Sequence, residues 1–276
     1  MTDVQPLGRS QCAAAELLNL GAGNGRWLLQ EARRLGVGHP LGIDVNRAKV
    51  ARAQASGLPV YEGDFTELDP QAFPAVKVVV FDNVLEHLAS LASVEAMFER
   101  GCAIASHVLY IRHPSFEHEE YLASKGLKQY WTDWPGAHTA HVRLYEFAAM
   151  AARNGVYDLA IRPLKRARDS GDPTILPDSA PPNQRKAERG PGAYGVYDEA
   201  RHGPKEIIEF DRPVFFGFDL FFFLRGDAPT VEYHADTDAE VAHPFFVWND
   251  RNRRRSRTRF PRRARRLLTM ATKRKR

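Results

Sequence analysis

Cysteine is scarce in this chain. Cys12 and Cys102 are the only two in 276 residues, too few for a disulfide framework, so a reducing compartment is expected. The opening MTDVQPLGRSQC lacks the basic-then-apolar order of a signal peptide. Long apolar runs are missing too. The longest, FFGFDLFFFL from Phe215 to Leu224, is too short to cross a bilayer and carries Asp219. No internal repeat is found. These absences predict a cytoplasmic protein, and the length allows one large α/β domain with a full core.

Charge is unevenly spread. Of the 39 Lys and Arg, 14 fall between Arg251 and Arg276, where no acid occurs. The other 25 face all 34 acids, which leaves residues 1–250 near −9. Basicity is therefore a property of the tail, and an acidic body argues against a broad nucleic-acid groove on the fold. The tail suits anionic lipid headgroups or phosphate backbones, or is simply solvated and disordered. Leu267, Leu268 and Met270 give it a short amphipathic stretch that could rest on a membrane surface, and the acidic body ranks a peripheral position at the inner membrane face above a nucleic-acid partner. Residues 226–250 read as a linker between the body and this tail.

Short apolar runs alternate with helical patterns through the first part of the chain. Glu16–Leu20, Leu41–Val45, Val60–Tyr61, Lys77–Phe81 and Ala105–Arg112 read as strands, with helices over Trp27–Leu35, after the second strand through Ala55, and over Val84–Arg100. That rhythm predicts βαβ units and a parallel sheet. Beyond Pro114 the pattern loosens. His141–Asn154 reads as an amphipathic helix stopped by Gly155, Tyr157–Pro163 as a strand, and Val214–Leu224 as a last, aromatic strand. Between them, residues 164–213 are rich in Pro, Gly and charge and form a long insert. The expected layout is a domain over 1–225 whose insert could act as a lid.

Asn19-Leu20-Gly21-Ala22-Gly23-Asn24-Gly25 follows the first strand and opens a helix. Glycines there permit a tight turn and close approach of backbone to a nucleotide. A dinucleotide fingerprint would need glycine at Arg26. Asp44 ends the second strand, 19 residues past Gly25, where a carboxylate can accept from ribose hydroxyls. Asp64 follows the third strand, where it can meet an adenine amino group. Either acid alone could instead be a helix N-cap.

NLGAGNG, GIDV, EGDF and FDNVLEHL resemble, in order, the signature segments of class I S-adenosylmethionine-dependent methyltransferases. The match covers about residues 16–113, and FFGFDLFFFLRG resembles that fold's antiparallel seventh strand. The resemblance implies a doubly wound, seven-stranded, mostly parallel α/β sheet of Rossmann-like type with S-adenosylmethionine as cofactor. It implies that Gly21, Gly23 and Gly25 cradle the methionine part, Asp44 the ribose, and Asp64 with Phe65 the adenine. Asn83 would border the methionine and the acceptor. Asn19 stands where the family usually has an acid, a departure that bears on how the cofactor amine is held.

Ligands of open α/β sheets sit at the carboxyl ends of the strands. That edge holds Asp82, Asn83, Glu86 and His87 after the fourth strand and His113 after the fifth. An alcohol acceptor needs a general base, for which His113 leads and His87 follows, unless backbone carbonyls simply satisfy both. Residues 130–141, YWTDWPGAHTAH, gather Trp131, Trp134, His138 and His141 as a platform for a sugar ring, or as a satellite core under the insert. His138, His141 and Asp133 are a weak candidate for a divalent cation; no residue is assigned as a metal ligand. His118-Glu119 does not extend to a metalloprotease HExxH, since Leu122 takes the last place.

The expected function is O-methylation of a saccharide or glycan precursor, given the insert's loose resemblance to methyltransferases of surface-polysaccharide clusters. One alternative is an RNA or DNA methyltransferase steered by the tail, against which Asp82-Asn83-Val84-Leu85 differs from the [DNS]PP[YF] of amino-methylating nucleic-acid enzymes. The other is a catalytically silent assembly partner of methyltransferase shape.

Overall fold

Strands β1 (Leu17–Leu20), β2 (Pro40–Asp44), β3 (Val60–Glu62), β4 (Val78–Asp82) and β5 (Val108–Pro114) run parallel, each joined to the next by a crossover. The description rests on a computed structural model and covers residues 4–134, 137–180 and 204–224. The sheet order is β3-β2-β1-β4-β5-β9-β7, in which β9 (Glu209–Phe223) lies antiparallel between β5 and β7 (Asp158–Asp169). This is a doubly wound, mostly parallel, Rossmann-like α/β sheet of seven strands, as the sequence predicts.

Strand alternation sends successive side chains to opposite faces, and both faces are covered. On one, Leu18, Leu20, Ile43, Val79, Phe81 and Leu109 pack against helices α1 (Arg9–Ala14), α4 (Leu91–Ile104) and α6 (Leu144–Arg153). On the other, Leu17, Val78, Val80 and Val108 meet helices α2 (Leu28–Arg34) and α3 (Arg47–Ala55). A small second sheet pairs β6 (Leu127–Gln129) with β8 (Ile175–Pro177), and α5 (Glu119–Ala123) precedes β6.

Two elements differ from expectation. The fourth helix does not begin at Val84: residues 85–87 form a 3-10 turn, and α4 starts only after Ser90, whose hydroxyl caps the amide of Ser93 at 3.2 Å. Glu86 and His87 are thereby held in an irregular turn at the end of β4. The insert also begins later than residue 164 and ends before 213. β7 runs on to Asp169 with Arg166 opposite Phe215, and β9 starts at Glu209. β7 is an edge strand, so its outward positions carry charge and tolerate Pro163, which made LKRARD read as loop. Residues 181–203 of the insert, the linker 226–250 and the basic tail 251–276 lie outside the described residues. Among the described residues no helix is long and apolar enough to cross a membrane.

Candidate active site

The glycine turn after β1 is shaped by left-handed backbone. Gly21, Gly23 and Gly25 have φ of 79°, 60° and 69°, and the amides of Gly21 and Ala22 both donate to Ile43 O, at 2.9 and 3.0 Å. The three glycines do different things. A Cβ on Gly21 would lie 2.4 Å from Val84 Cγ2, and one on Gly25 2.7 Å from Val60 Cγ2, so both are fixed by neighbours inside the protein. A Cβ on Gly23 would meet nothing nearer than Lys49 Cδ at 3.9 Å. That face of the turn is open to a ligand.

Asp44, at the end of β2, is buried and tied to the turn. Its Oδ2 accepts from the Gly23 amide at 2.7 Å and its Oδ1 from the Asn46 amide at 2.8 Å. Each oxygen keeps a second lone pair for another donor. Asn19 is buried in β1, and its Oδ1 has no hydrogen-bond partner in the protein. A buried acceptor without a donor is uncommon and suits a cationic amine arriving with a ligand. Asn83 has φ of 50°, donates from Nδ2 to Asp82 Oδ1 at 2.8 Å, and stands exposed beside the turn. These residues fit a cofactor with an ammonium and a ribose.

Asp64 and Phe65 are placed differently. Asp64 Oδ1 accepts from the Thr66 amide at 2.8 Å and from its hydroxyl at 2.6 Å, which caps a short 3-10 turn and holds the carboxyl below its usual pKa. Its remaining oxygen and the adjacent backbone are what a ligand could use. Phe65 is buried in the core beneath.

The second half of the site gathers around Glu86 and His87. Loop 137–140 is stitched onto their turn: Thr139 and Ala140 amides donate to Glu86 O at 2.9 and 3.1 Å, and the Thr139 hydroxyl donates to Leu88 O at 2.5 Å. His87 Nδ1 donates to Ala137 O at 2.5 Å, and His138 Nδ1 donates to Trp131 O at 2.9 Å. His87 and His138 rings meet edge-on at 4.9 Å. Burial pushes the His138 pKa down to about 4, so the ring is neutral near pH 7. Glu86 is 1% exposed and His113 3%. They approach to 3.4 Å, yet Glu86 Oε2 and both His113 ring nitrogens lack hydrogen-bond partners. Of the two expected base candidates, His87 reaches solvent and His113 is buried beside Glu86, Phe116 and Phe147.

The aromatic segment divides. Trp131 is 2% exposed, donates from its indole to Ser115 O at 3.0 Å and packs on Phe216 at 4.5 Å, so it is core and not an open platform. Trp134 is half-buried, its ring 4.8 Å from His138. His141 stacks on Phe116 at 4.3 Å, and Glu119 lies 2.7 Å from its Nδ1 and raises its pKa. Asp133 Oδ2 accepts from Lys128 Nζ at 2.7 Å. Asp133, His138 and His141 therefore have separate partners and form no common site. The sequence places Glu86 at this edge without marking a role for it. The signal was available as an adjacent Glu-His pair at a strand end, but its partner His138 lies 51 residues further on.

No family model matches the chain. A tabtoxin biosynthesis enzyme of Pseudomonas amygdali pv. tabaci is 38% identical over 77 residues, which is 27% of this chain and 29% of that protein. The chain thus matches under a third of that relative's length. Among solved structures, an S-adenosylmethionine-dependent methyltransferase from Archaeoglobus fulgidus aligns at 13% identity over 78% of this chain and 88% of its own, with a TM-score of 0.48. Magnesium protoporphyrin IX methyltransferase from Synechocystis aligns at 15% identity over 55% and 69%, with a TM-score of 0.41. An amino pentose methyltransferase from Micromonospora echinaspora reaches 25% identity over 38% and 45%, with a TM-score of 0.31.

Proposed function

We propose that this chain is an S-adenosylmethionine-dependent methyltransferase that methylates a hydroxyl of a saccharide or glycan precursor. The observation that carries the cofactor half is the open glycine cradle bounded by Asp44 and by the orphaned Asn19 Oδ1. Gly21 to Gly25 present backbone to the methionine part, Asp44 accepts from the ribose, and Asn19 Oδ1 accepts from the ammonium. An amide in place of an acid gives a neutral acceptor, so this contact is weaker than a charged pair. When bound, the cofactor supplies an electrophilic methyl, whose transfer breaks a C–S bond and forms a C–O bond.

The protein's own task is to hold the acceptor in line and to favour loss of its hydroxyl proton. Support for a hydroxyl acceptor comes from Glu86, His87, His113 and His138 at the C-terminal edge of β4 and β5, three to four residues beyond Asn83 on the β4 side. His87 is the member an acceptor can touch, and His113 positions Glu86 from behind. Support for a ring-shaped acceptor comes from half-buried Trp134 beside His138. A panel of nucleotide sugars and oligosaccharides, incubated with methyl-labelled cofactor, tests this. The expectation is label on a saccharide oxygen, lost in His87→Ala. Label appearing only on RNA, DNA or amine acceptors would overturn the acceptor class.

A further inference from the structure

We propose that Glu86, His87 and His138 form a binding site for one divalent transition-metal ion. A carboxylate oxygen and one ring nitrogen from each histidine all lie within 4.8 Å of one another. Donor atoms around an ion with bonds of ~2.1 Å sit roughly 3.0–3.5 Å apart, so the three side chains draw together when an ion binds. Two imidazoles with one carboxylate suit zinc, manganese or ferrous iron better than magnesium or calcium, which prefer all-oxygen ligands.

Three features beyond proximity support the site. Both histidines donate Nδ1–H to a main-chain carbonyl, His87 to Ala137 and His138 to Trp131. A carbonyl can only accept, so each Nδ1 carries the proton and Nε2 is the lone pair left for an ion. This is the outer-shell pattern that orients metal-bound imidazole. Next, Glu86 is almost wholly buried and its Oε2 has no hydrogen-bond partner, only the His113 ring 3.4 Å away; a carboxylate so poorly compensated is stabilised by a cation at either oxygen. Finally, the loop carrying His138 is bound to the Glu86–Leu88 turn by three hydrogen bonds, so the ligands are positioned before any ion arrives. His113, 3.4 Å from Glu86 Oε2, stands behind as a positioning residue for the carboxylate.

His87 is exposed, so the coordination sphere opens to solvent with room for an acceptor oxygen. Resting on the methyltransferase reading, the ion then stands between His87 and the acceptor: His87 Nε2 binds the ion, and the ion's open position takes the acceptor hydroxyl, whose acidity a bound cation increases. Ion binding itself does not depend on that reading.

The test uses the full chain stripped with EDTA, then titrated with Mn2+ followed by electron paramagnetic resonance and with Zn2+ in a calorimeter. One site of micromolar affinity is expected. His138→Ala and Glu86→Gln should weaken it roughly tenfold or more, while His141→Ala, outside the cluster, should leave it unchanged. Thermal melts show whether each variant folds. No binding by wild type, or binding unaffected by either cluster variant, overturns the site. Cofactor titration of the same EDTA-treated protein separates the two claims: its failure sinks the methyltransferase reading and not the ion site.

Discussion

Arg112 stands opposite Asp219 across the antiparallel ladder between β5 and β9, with its Nε 2.9 Å from Oδ1. Asp219 is fully buried and also receives Tyr110 OH at 3.0 Å and Arg162 Nε at 3.0 Å. Arg112 reaches on to Glu31 at 3.8 Å, which pairs with Arg34 at 3.0 Å. Asp219, the single acid in the aromatic run Phe215–Leu224, thus anchors the sheet's antiparallel seam. Asp219→Ala would leave two guanidinium groups and a phenol without that acceptor. It should cost about 3–5 kcal/mol in chemical denaturation, as removal of one partner from a buried charge network does. A loss below about 1 kcal/mol would show that the network contributes little.

The glycine turn makes a paired prediction. Gly21→Ala combines a φ of 79° with a Cβ 2.4 Å from Val84, so it should lower stability by at least about 2 kcal/mol and abolish cofactor binding with it. Gly23→Ala has a φ of 60° but open space around the new methyl, so about 1 kcal/mol is expected. Its cofactor affinity should nonetheless fall roughly tenfold or more, because the methyl occupies the approach face. Melting curves and cofactor titration together check this; unchanged affinity in Gly23→Ala would place the ligand elsewhere.

Much of this architecture was legible because apolar strands repeat with helices between them. β1, β2, β4 and β5 are mostly apolar runs without strict alternation, as suits a sheet covered on both faces. The turn NLGAGNG and Asp44 were readable because a glycine cluster and an acid at successive strand ends report backbone geometry directly. The outer part was less readable. LKRARD in β7 carries edge-strand charge that mimics a loop, and Ser90 shifts the start of α4 by a cap that no periodicity reveals. The meeting of Glu86, His87 and His138 depends on a loop folding back by main-chain hydrogen bonds to the Glu86 carbonyl, which leave no trace in residue type. Trp131 was ambiguous for a similar reason: an indole serves a sugar platform or a core equally well until its N–H finds Ser115.

Trp131 therefore offers a test of stability against binding. Trp131→Ala should destabilise the protein by about 3–5 kcal/mol, the range for a buried aromatic truncated in a core. Trp134→Ala, at a half-buried ring, should cost less than about 1.5 kcal/mol and weaken saccharide binding instead. The reverse order in denaturation would contradict the placement of these two rings.

Cys102 supplies a chemical check. Burial, helped by Glu99, pushes its thiol pKa up to about 12, leaving very little thiolate near pH 8. Cys12 is also raised by burial. Alkylation by iodoacetamide should be on the order of 100-fold slower in the native protein than in urea. Comparable rates would mean that the helix carrying Cys102 opens readily.

The central claim is that the cradle between Asn19, the glycine turn and Asp44 binds S-adenosylmethionine. Calorimetric titration of the purified full chain, repeated on Asp44→Ala, tests it most directly. Micromolar binding to wild type is predicted, weakened by about 1–3 kcal/mol in the variant, the loss expected when ribose hydroxyls go unpaired. No binding to wild type, or equal binding to both proteins, would contradict the account.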